Sequence, residues 1–427
     1  MKIGKVKKIG MLMTLLGALS LGACGGSDPG ASGNSADDNL KKNSSDMQED
    51  SSDSKKPEVA DQDAKNKNLE ELFEYTLMED ENTVLLTKYI GEVENVTVFG
   101  SYKIGGKEYQ TLLADGVDDG WKTSPFRDNT TITSLTFADG VKINNCSNYF
   151  SYCKNLESID FSGLDTSECS DFSAMFSNCT SLQTVDLSPL NLDSLTELYG
   201  MFSYCESLTE LDFSMVDTSS VTSFDNLFEC CRSLQKLNIE GMDTSNATHL
   251  TSMFDGCSSL TSIDVSGFDT SNVVAMPAMF RGCESLTGID VSSFDTSLVE
   301  GMGSMFAGCK SLTGIDLSGF DTSCCAGLGN MFNGCESLTG IDLSNFDTSH
   351  VKDLGGMFAG CSGLEQLDIS NFTVKNSLKY TYDMFKGCEN LTAVYVNQNF
   401  YDYVYSDKVK NNRNMFEDSS ITDFTVK

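Results

Sequence analysis

Cysteine recurs at positions 153, 179, 205, 231, 257, 283, 309, 335 and 361, each 26 residues from the last, and Cys388 follows after 27. Thiols repeated at one spacing can bridge, ligate a metal, or pack as small apolar groups. Sixteen cysteines in an exported chain ordinarily suggest a disulfide framework. Here the position just before a strand points each repeated thiol inward, so free buried thiols are the expectation. Bridges stay open as an alternative, because equivalent residues of stacked rungs lie about 5 Å apart. The adjacent pairs Cys230-Cys231 and Cys324-Cys325 are the foremost candidates for bridging. No CxxC pair has zinc spacing, and the two histidines, His249 and His350, are isolated.

Carboxylates keep the same period: Asp160, Asp186, Asp212, then Asn238, then Asp264, Asp290, Asp316, Asp342 and Asp368. Like charges stacked in neighbouring strands repel unless something compensates. One reading is a receptor face for Ca²⁺ or for basic segments of a partner, since hard cations take carboxylate oxygens. The other is a solvated ladder, screened by salt, that guards against aggregation. Tyr395 occupies the next ladder position, and Tyr401, Tyr403 and Tyr405 alternate beyond it. They form either a ligand-contact patch or a cap over the last coil. The candidate binding face is thus Asp264, Asp290, Asp316, Asp342, Asp368, Tyr395, Tyr401 and Tyr403. No cofactor is expected beyond a Ca²⁺ ion on the ladder.

The elements that position these residues follow from one unit, Cys257 to Cys283. Leu260, Ile263, Val265 and Phe268 have the spacing of a leucine-rich repeat, with one short strand around Ile263-Asp264-Val265. Asp269-Thr270-Ser271 supplies turn and N-cap oxygens, and Val273, Met276, Met279 and Phe280 recur at helical spacing. Pro277 falls in that stretch, which predicts broken or 3₁₀ turns there. Four residues before each repeated cysteine stands Met or a substitute (Tyr149, Leu227), always followed by Phe. No coil buries its own apolar set, so stacking must create the core.

The segment Met331 to Val351, of pattern MFxGCxSLTxIDLSxFDTSxV, resembles the repeat of the BspA-like leucine-rich-repeat surface proteins of bacteria. The resemblance covers roughly residues 132–426 and implies adhesion or ligand binding at a cell surface. The expected fold is an α/β leucine-rich-repeat solenoid of 26-residue repeats. It has a parallel sheet on one face, short helices or 3₁₀ turns on the other, and a small β-rich N-terminal cap. Within the cap, residues 85–90 and 96–99 read as strands and Ile104-Gly105-Gly106-Lys107 as a hairpin turn.

Residues 1–23 combine a Lys-rich start, an apolar run from Ile9 to Leu19 and small residues before a cysteine, the parts of an export signal. Leu21-Gly22-Ala23-Cys24-Gly25 resembles a bacterial lipobox, which makes Cys24 a diacylated anchor at the extracellular face of the cell membrane. Residues 24–68 read as a lipidated cysteine and a disordered linker, 69–131 as the cap, and 132–427 as the solenoid with its C-terminal cap. The formal charge is −33, or −37 without the leader and its four lysines. Such a surface disfavours nucleic acid and suits cationic proteins or divalent ions.

Identical groups in every coil provide no differentiated acid and base, and no phosphate-binding glycine motif is present, so no enzyme is expected. The reading is a lipid-anchored surface protein that binds a protein or cell-surface ligand. The alternative is a structural coat or wall-associated spacer without a specific ligand.

Overall fold

A computed structural model describes residues 58–115, 117–118, 121–122, 124–374 and 378–427. The leader, Cys24 and the linker as far as residue 57 lie outside the described residues. The chain enters through α1 (Glu58–Leu72), followed by β1 (Phe73–Leu77), β2 (Thr83–Tyr89), β3 (Asn95–Val98), β4 (Ser101–Ile104) and β5 (Lys107–Leu113). Next come β6 (Val117–Asp118), β7 (Trp121–Lys122), β8 (Ser134–Phe137), β9 (Val141–Lys142), β10 (Ser158–Asp160) and β11 (Leu164–Asp165). Later rungs carry β12 (Glu210–Asp212), β13 (Lys236–Asn238), β14 (Gln366–Asp368), β15 (Ala393–Val396), α2 (Gln398–Val404) and β16 (Thr425–Val426).

Helix α1 overlaps residues expected to be linker. It ends in Leu69 and Leu72, both buried in the core, and carries a Lys67–Glu71 pair one turn apart at 3.6 Å. The hairpin β4–β5 pairs Ile104 with Lys107 across Gly105 (φ 61) and Gly106 (φ 90), the left-handed pair that a two-residue turn requires. Across residue 132 the backbone pairing is continuous: β3 lies parallel to β8, which lies parallel to β10. In the same way β2, β5, β9 and β11 form a second parallel run. The N-terminal segment, expected as a β-rich cap, therefore joins both ladders of the solenoid. Its first rungs lack the Met-Phe-Cys corner, so the period does not reveal them.

Among the described residues the fold is a leucine-rich-repeat solenoid of about twelve turns with few helices. Parallel pairs β12–β13 and β14–β15–β16 mark the strand side. A second column of single parallel bridges runs Ser223, His249, Ala275, Gly301, Gly327, Asp353, Tyr380 and Asn411. Stacked rings carry the core. From Phe228 through Phe254, Phe280, Phe306, Phe332 and Phe358 to Phe385, centroids repeat at 5.5–5.8 Å with planes within 17°. All seven rings are fully buried.

The return side is made of short turns, as expected for the coil that holds Pro277. Met276, Met279 and Phe280 lie on consecutive turns, not on a helix. Ala278 (φ 57) and Gly282 (φ 69) both have left-handed backbone, which no α-helix accommodates. Backbone N–H groups that a helix would use internally reach the following rung: Phe280 N to Met305 O at 2.9 Å and Gly282 N to Ala307 O at 2.7 Å. Only short turns close within this part of the rung, such as Cys283 N to Phe280 O at 3.2 Å. Spacing of three and four is shared by a helix and by such a chain of turns, and sequence periodicity does not separate them.

Candidate functional site

Each carboxylate of the ladder is engaged locally. The Oδ1 atoms of Asp264, Asp290, Asp316, Asp342 and Asp368 accept the backbone N–H of the serine two residues on, at 2.9–3.0 Å. The rungs before them repeat the contact, with Asp160, Asp186 and Asp212 bonding Ser162, Ser188 and Ser214. Asn238 keeps it with Glu240 and donates to Asp212 at 3.1 Å. These are Asx turns, in which a short side-chain carbonyl takes the place of a backbone acceptor. Bonds from Ser266 hold the Asp264 carboxyl below the usual carboxylate range, and the serines at 292, 318 and 344 do the same for their aspartates. The compensation that a stack of like charges needs is thus supplied within each rung.

A second aspartate column does the same work one turn later: Asp269, Asp295, Asp321 and Asp347 cap the N–H of Ser271, Ser297, Ser323 and Ser349. Beside it runs a buried threonine column not anticipated from sequence. The hydroxyls of Thr218, Thr244, Thr270, Thr296 and Thr322 donate to the backbone carbonyl 25 residues on at 2.8–3.0 Å. Several accept in return, as Thr296 does from Asp321 N at 2.8 Å. The DTS motif was the available signal, and it read as a turn because its cross-rung partner is not local.

The repeated thiols are buried and unbridged, as are all fifteen described cysteines save the exposed Cys324 in burial alone. From Cys257 to Cys361 each Sγ donates to the carbonyl of a phenylalanine 29 residues earlier at 3.0–3.2 Å. Burial pushes the Cys335 and Cys388 thiols up to about 12. Neither adjacent pair is joined. Instead Cys146 and Cys169, off the main column, bring their sulfurs to 2.8 Å. Among the described residues no three His, Cys, Asp or Glu side chains converge as a metal site.

The tyrosine cluster divides. Asn397 caps α2 by accepting the Phe400 N–H, and Tyr403, on the inner side of that helix, is buried. Tyr403 is therefore removed from the candidate binding face. Tyr401 and Tyr405 both donate to Asp423, at 3.2 and 2.9 Å, tying α2 to the last rung. Tyr395 and Asp368 do come together, through Lys427. The Lys427 ammonium lies 2.6 Å from Asp368 Oδ2 and 4.2 Å from the Tyr395 ring centre. That hydrogen bond is the first cause of an Asp368 carboxyl held down at about 2.

Between the rungs of Asp186 and Asp212 a cavity of about 490 Å³ opens, lined by residues 185–193 and by Asp212, Met215, Val216 and Asp217. Sequence reasoning passed over it. The signal was a departure from the repeat: Pro189 and Met215 stand where other rungs have Gly267, Ser293, Gly319 or Asn345.

A family described as "Mycoplasma protein of unknown function, DUF285" matches residues 123–238, 223–338 and 312–425. The chain belongs to this family. DUF285 membership thus spans the rungs that carry the ladder, the threonine column and the cavity. No curated protein matches the chain. Among solved structures, a leucine-rich cell surface protein of Faecalibacterium prausnitzii is 20% identical with a TM-score of 0.47, over 82% of this chain and 93% of that one. A leucine-rich-repeat protein of Bacteroides ovatus is 17% identical with a TM-score of 0.47, over 81% and 91%. A further one, from Eubacterium ventriosum, is 14% identical with a TM-score of 0.35, over 83% and 94%.

Proposed function

We propose that this DUF285 protein is displayed at a bacterial surface, tethered through an acylated Cys24, and presents its solenoid as a face for binding basic segments of other proteins. The observation that carries the reading is Lys427. The chain itself places an ammonium on the aspartate ladder, between a carboxylate and an aromatic ring. Each Asx turn uses Oδ1 and leaves Oδ2 to the solvent side, so Asp264, Asp290, Asp316 and Asp342 offer the same acceptor without an internal cation. Ca²⁺ is the competing occupant of those oxygens, and titration with it would shift the melting temperature. Catalysis is not part of the reading, because equivalent groups in every rung distinguish no acid from a base.

Cells producing the full chain test it in two steps. Cys24→Ala abolishes labelling by a fatty-acid analogue and releases the protein from the cell. Extracts of host matrix, cell wall and neighbouring bacteria, passed over the full chain, yield protein partners eluted by salt. A coat or spacer enriches none.

A further inference from the structure

At the cavity near Met215 the described array replaces small residues with exposed apolar ones on two adjacent rungs. At the position held by Gly163, Gly241, Gly267, Ser293 and Gly319, the two rungs bounding the cavity have Pro189 and Met215. Met215 is 84% exposed, the highest value among the described large apolar side chains. A side chain of this size, so exposed at a position that other rungs fill with glycine, serine or asparagine, has no packing role to explain it.

The same place interrupts the threonine column. Thr166 bonds Asn191, and Thr218 bonds Asp243, but Leu192 stands between them and has no hydroxyl for the Asp217 backbone. Two adjoining rungs are therefore without the stitch that joins the others. The opening has an apolar floor of Leu187, Leu190 and Val216 and a half-buried wall residue, Leu192. Around it stand four exposed carboxylates, Asp186, Asp193, Asp212 and Asp217, and no basic residue lines it. Hydrogen bonds from Ser214 and Ser219 keep Asp212 and Asp217 ionised well below neutral pH.

An occupant must combine an apolar stem with a cationic head, which is the make-up of lysine and arginine. A flexible thioether at the mouth adapts to whichever apolar neighbour the segment carries. Lys427 on Asp368 shows the head-group half of this recognition within the same molecule.

We propose that this cavity is the specificity pocket of the binding face, and that it receives a protein segment presenting lysine or arginine beside an aliphatic side chain. The inference rests on the protein-binding reading above and locates its selective point.

A library of capped octapeptides screened against the purified full chain tests it. Selected sequences carry Lys or Arg next to Leu, Ile, Val or Met, and their binding weakens as salt rises. Leu192→Thr combined with Met215→Gly returns both positions to residues that other rungs use, so the variant keeps its cooperative melting. Its affinity for the selected peptides falls at least tenfold. A smaller fall, selection of sequences without a basic residue, absence of any selection, or equal displacement by spermidine each overturns the proposal. The surface-binding reading fails separately, if the wild-type chain enriches no protein from the extracts; partners captured equally by both forms sink the pocket alone.

Discussion

Aspartate 264 and its equivalents illustrate how one side chain settles an electrostatic problem. Stacked carboxylates repel, yet each accepts the backbone N–H of the serine two residues on in its own turn, and the turn cannot form as well without it. Asp368 goes further by adding Lys427. A free aspartate titrates near 3.9, and Asp368 is held at about 2, so its folded value lies below its unfolded one. The stabilisation from this contact is therefore complete above about pH 4 and is lost as pH falls towards 2. Lys427→Met should lower the melting temperature at pH 7 by at most about 3 °C, since exposed pairs contribute little. The difference between the two proteins should shrink in melts taken at successively lower pH down to 2, where the Asp368 carboxyl is about half protonated. Cys146 and Cys169 are a second residue-scale case. Their sulfurs stand 2.8 Å apart, whereas column thiols such as Cys283 point at a carbonyl. With diamide as oxidant, the pair gives two protons and two electrons to the diazene and joins through sulfur. Mass spectrometry after alkylation in denaturant should find Cys146 linked to Cys169; linkage within the 26-residue column instead would contradict the geometry.

At the scale of the rung, the threonine column shows why turns outcompete helices here. A helix satisfies its backbone internally, but a rung built of short turns must send its polar groups to its neighbour. Thr296 donates to Asp321 O and accepts from Asp321 N, both at 2.8 Å, in a buried position. Thr296→Val keeps the shape and strips both bonds, with an expected cost of about 1–3 kcal/mol for the polar groups left behind. Urea denaturation should show a lowered midpoint, and Thr296→Ser should recover most of it. The strand, the corner of Met, Phe and Cys, and the outward aspartates were legible in sequence because each has a fixed period and a fixed chemical type. Met276, Met279 and Phe280 have a spacing shared by helix and turns, and Pro277 alone marked their stretch as broken turns. Thr296 was legible as a turn former only, since its partner lies 25 residues away and no local pattern encodes it.

For the solenoid as a whole, the period revealed the stack but not where it begins. Asn95–Val98 pairs in parallel with Ser134–Phe137 although no corner motif announces it, because backbone pairing needs extended chain and not a particular residue. At the other end, Tyr403 was a candidate for contact and proves, with Phe400, to belong to the covering of the last rung, where an exposed ring stack would invite association. The candidate site was half legible. The ladder followed from repetition, while the Met215 cavity required comparing each rung with the rest and treating a mismatch as information.

The threonine-to-carbonyl, thiol-to-carbonyl and phenylalanine-stacking contacts each repeat with the same pair of groups from rung to rung, and this bears on how the molecule can change length. Cutting out 26 residues at any phase within the regular stretch leaves two faces whose donors and acceptors already match, so whole units can be lost or duplicated without redesigning what remains. A gain or loss of any other length would put every downstream sulfur and hydroxyl opposite the wrong atom. The reach of the displayed surface is therefore adjustable only in discrete steps of one rung, while the irregular rungs around Met215 are carried along intact.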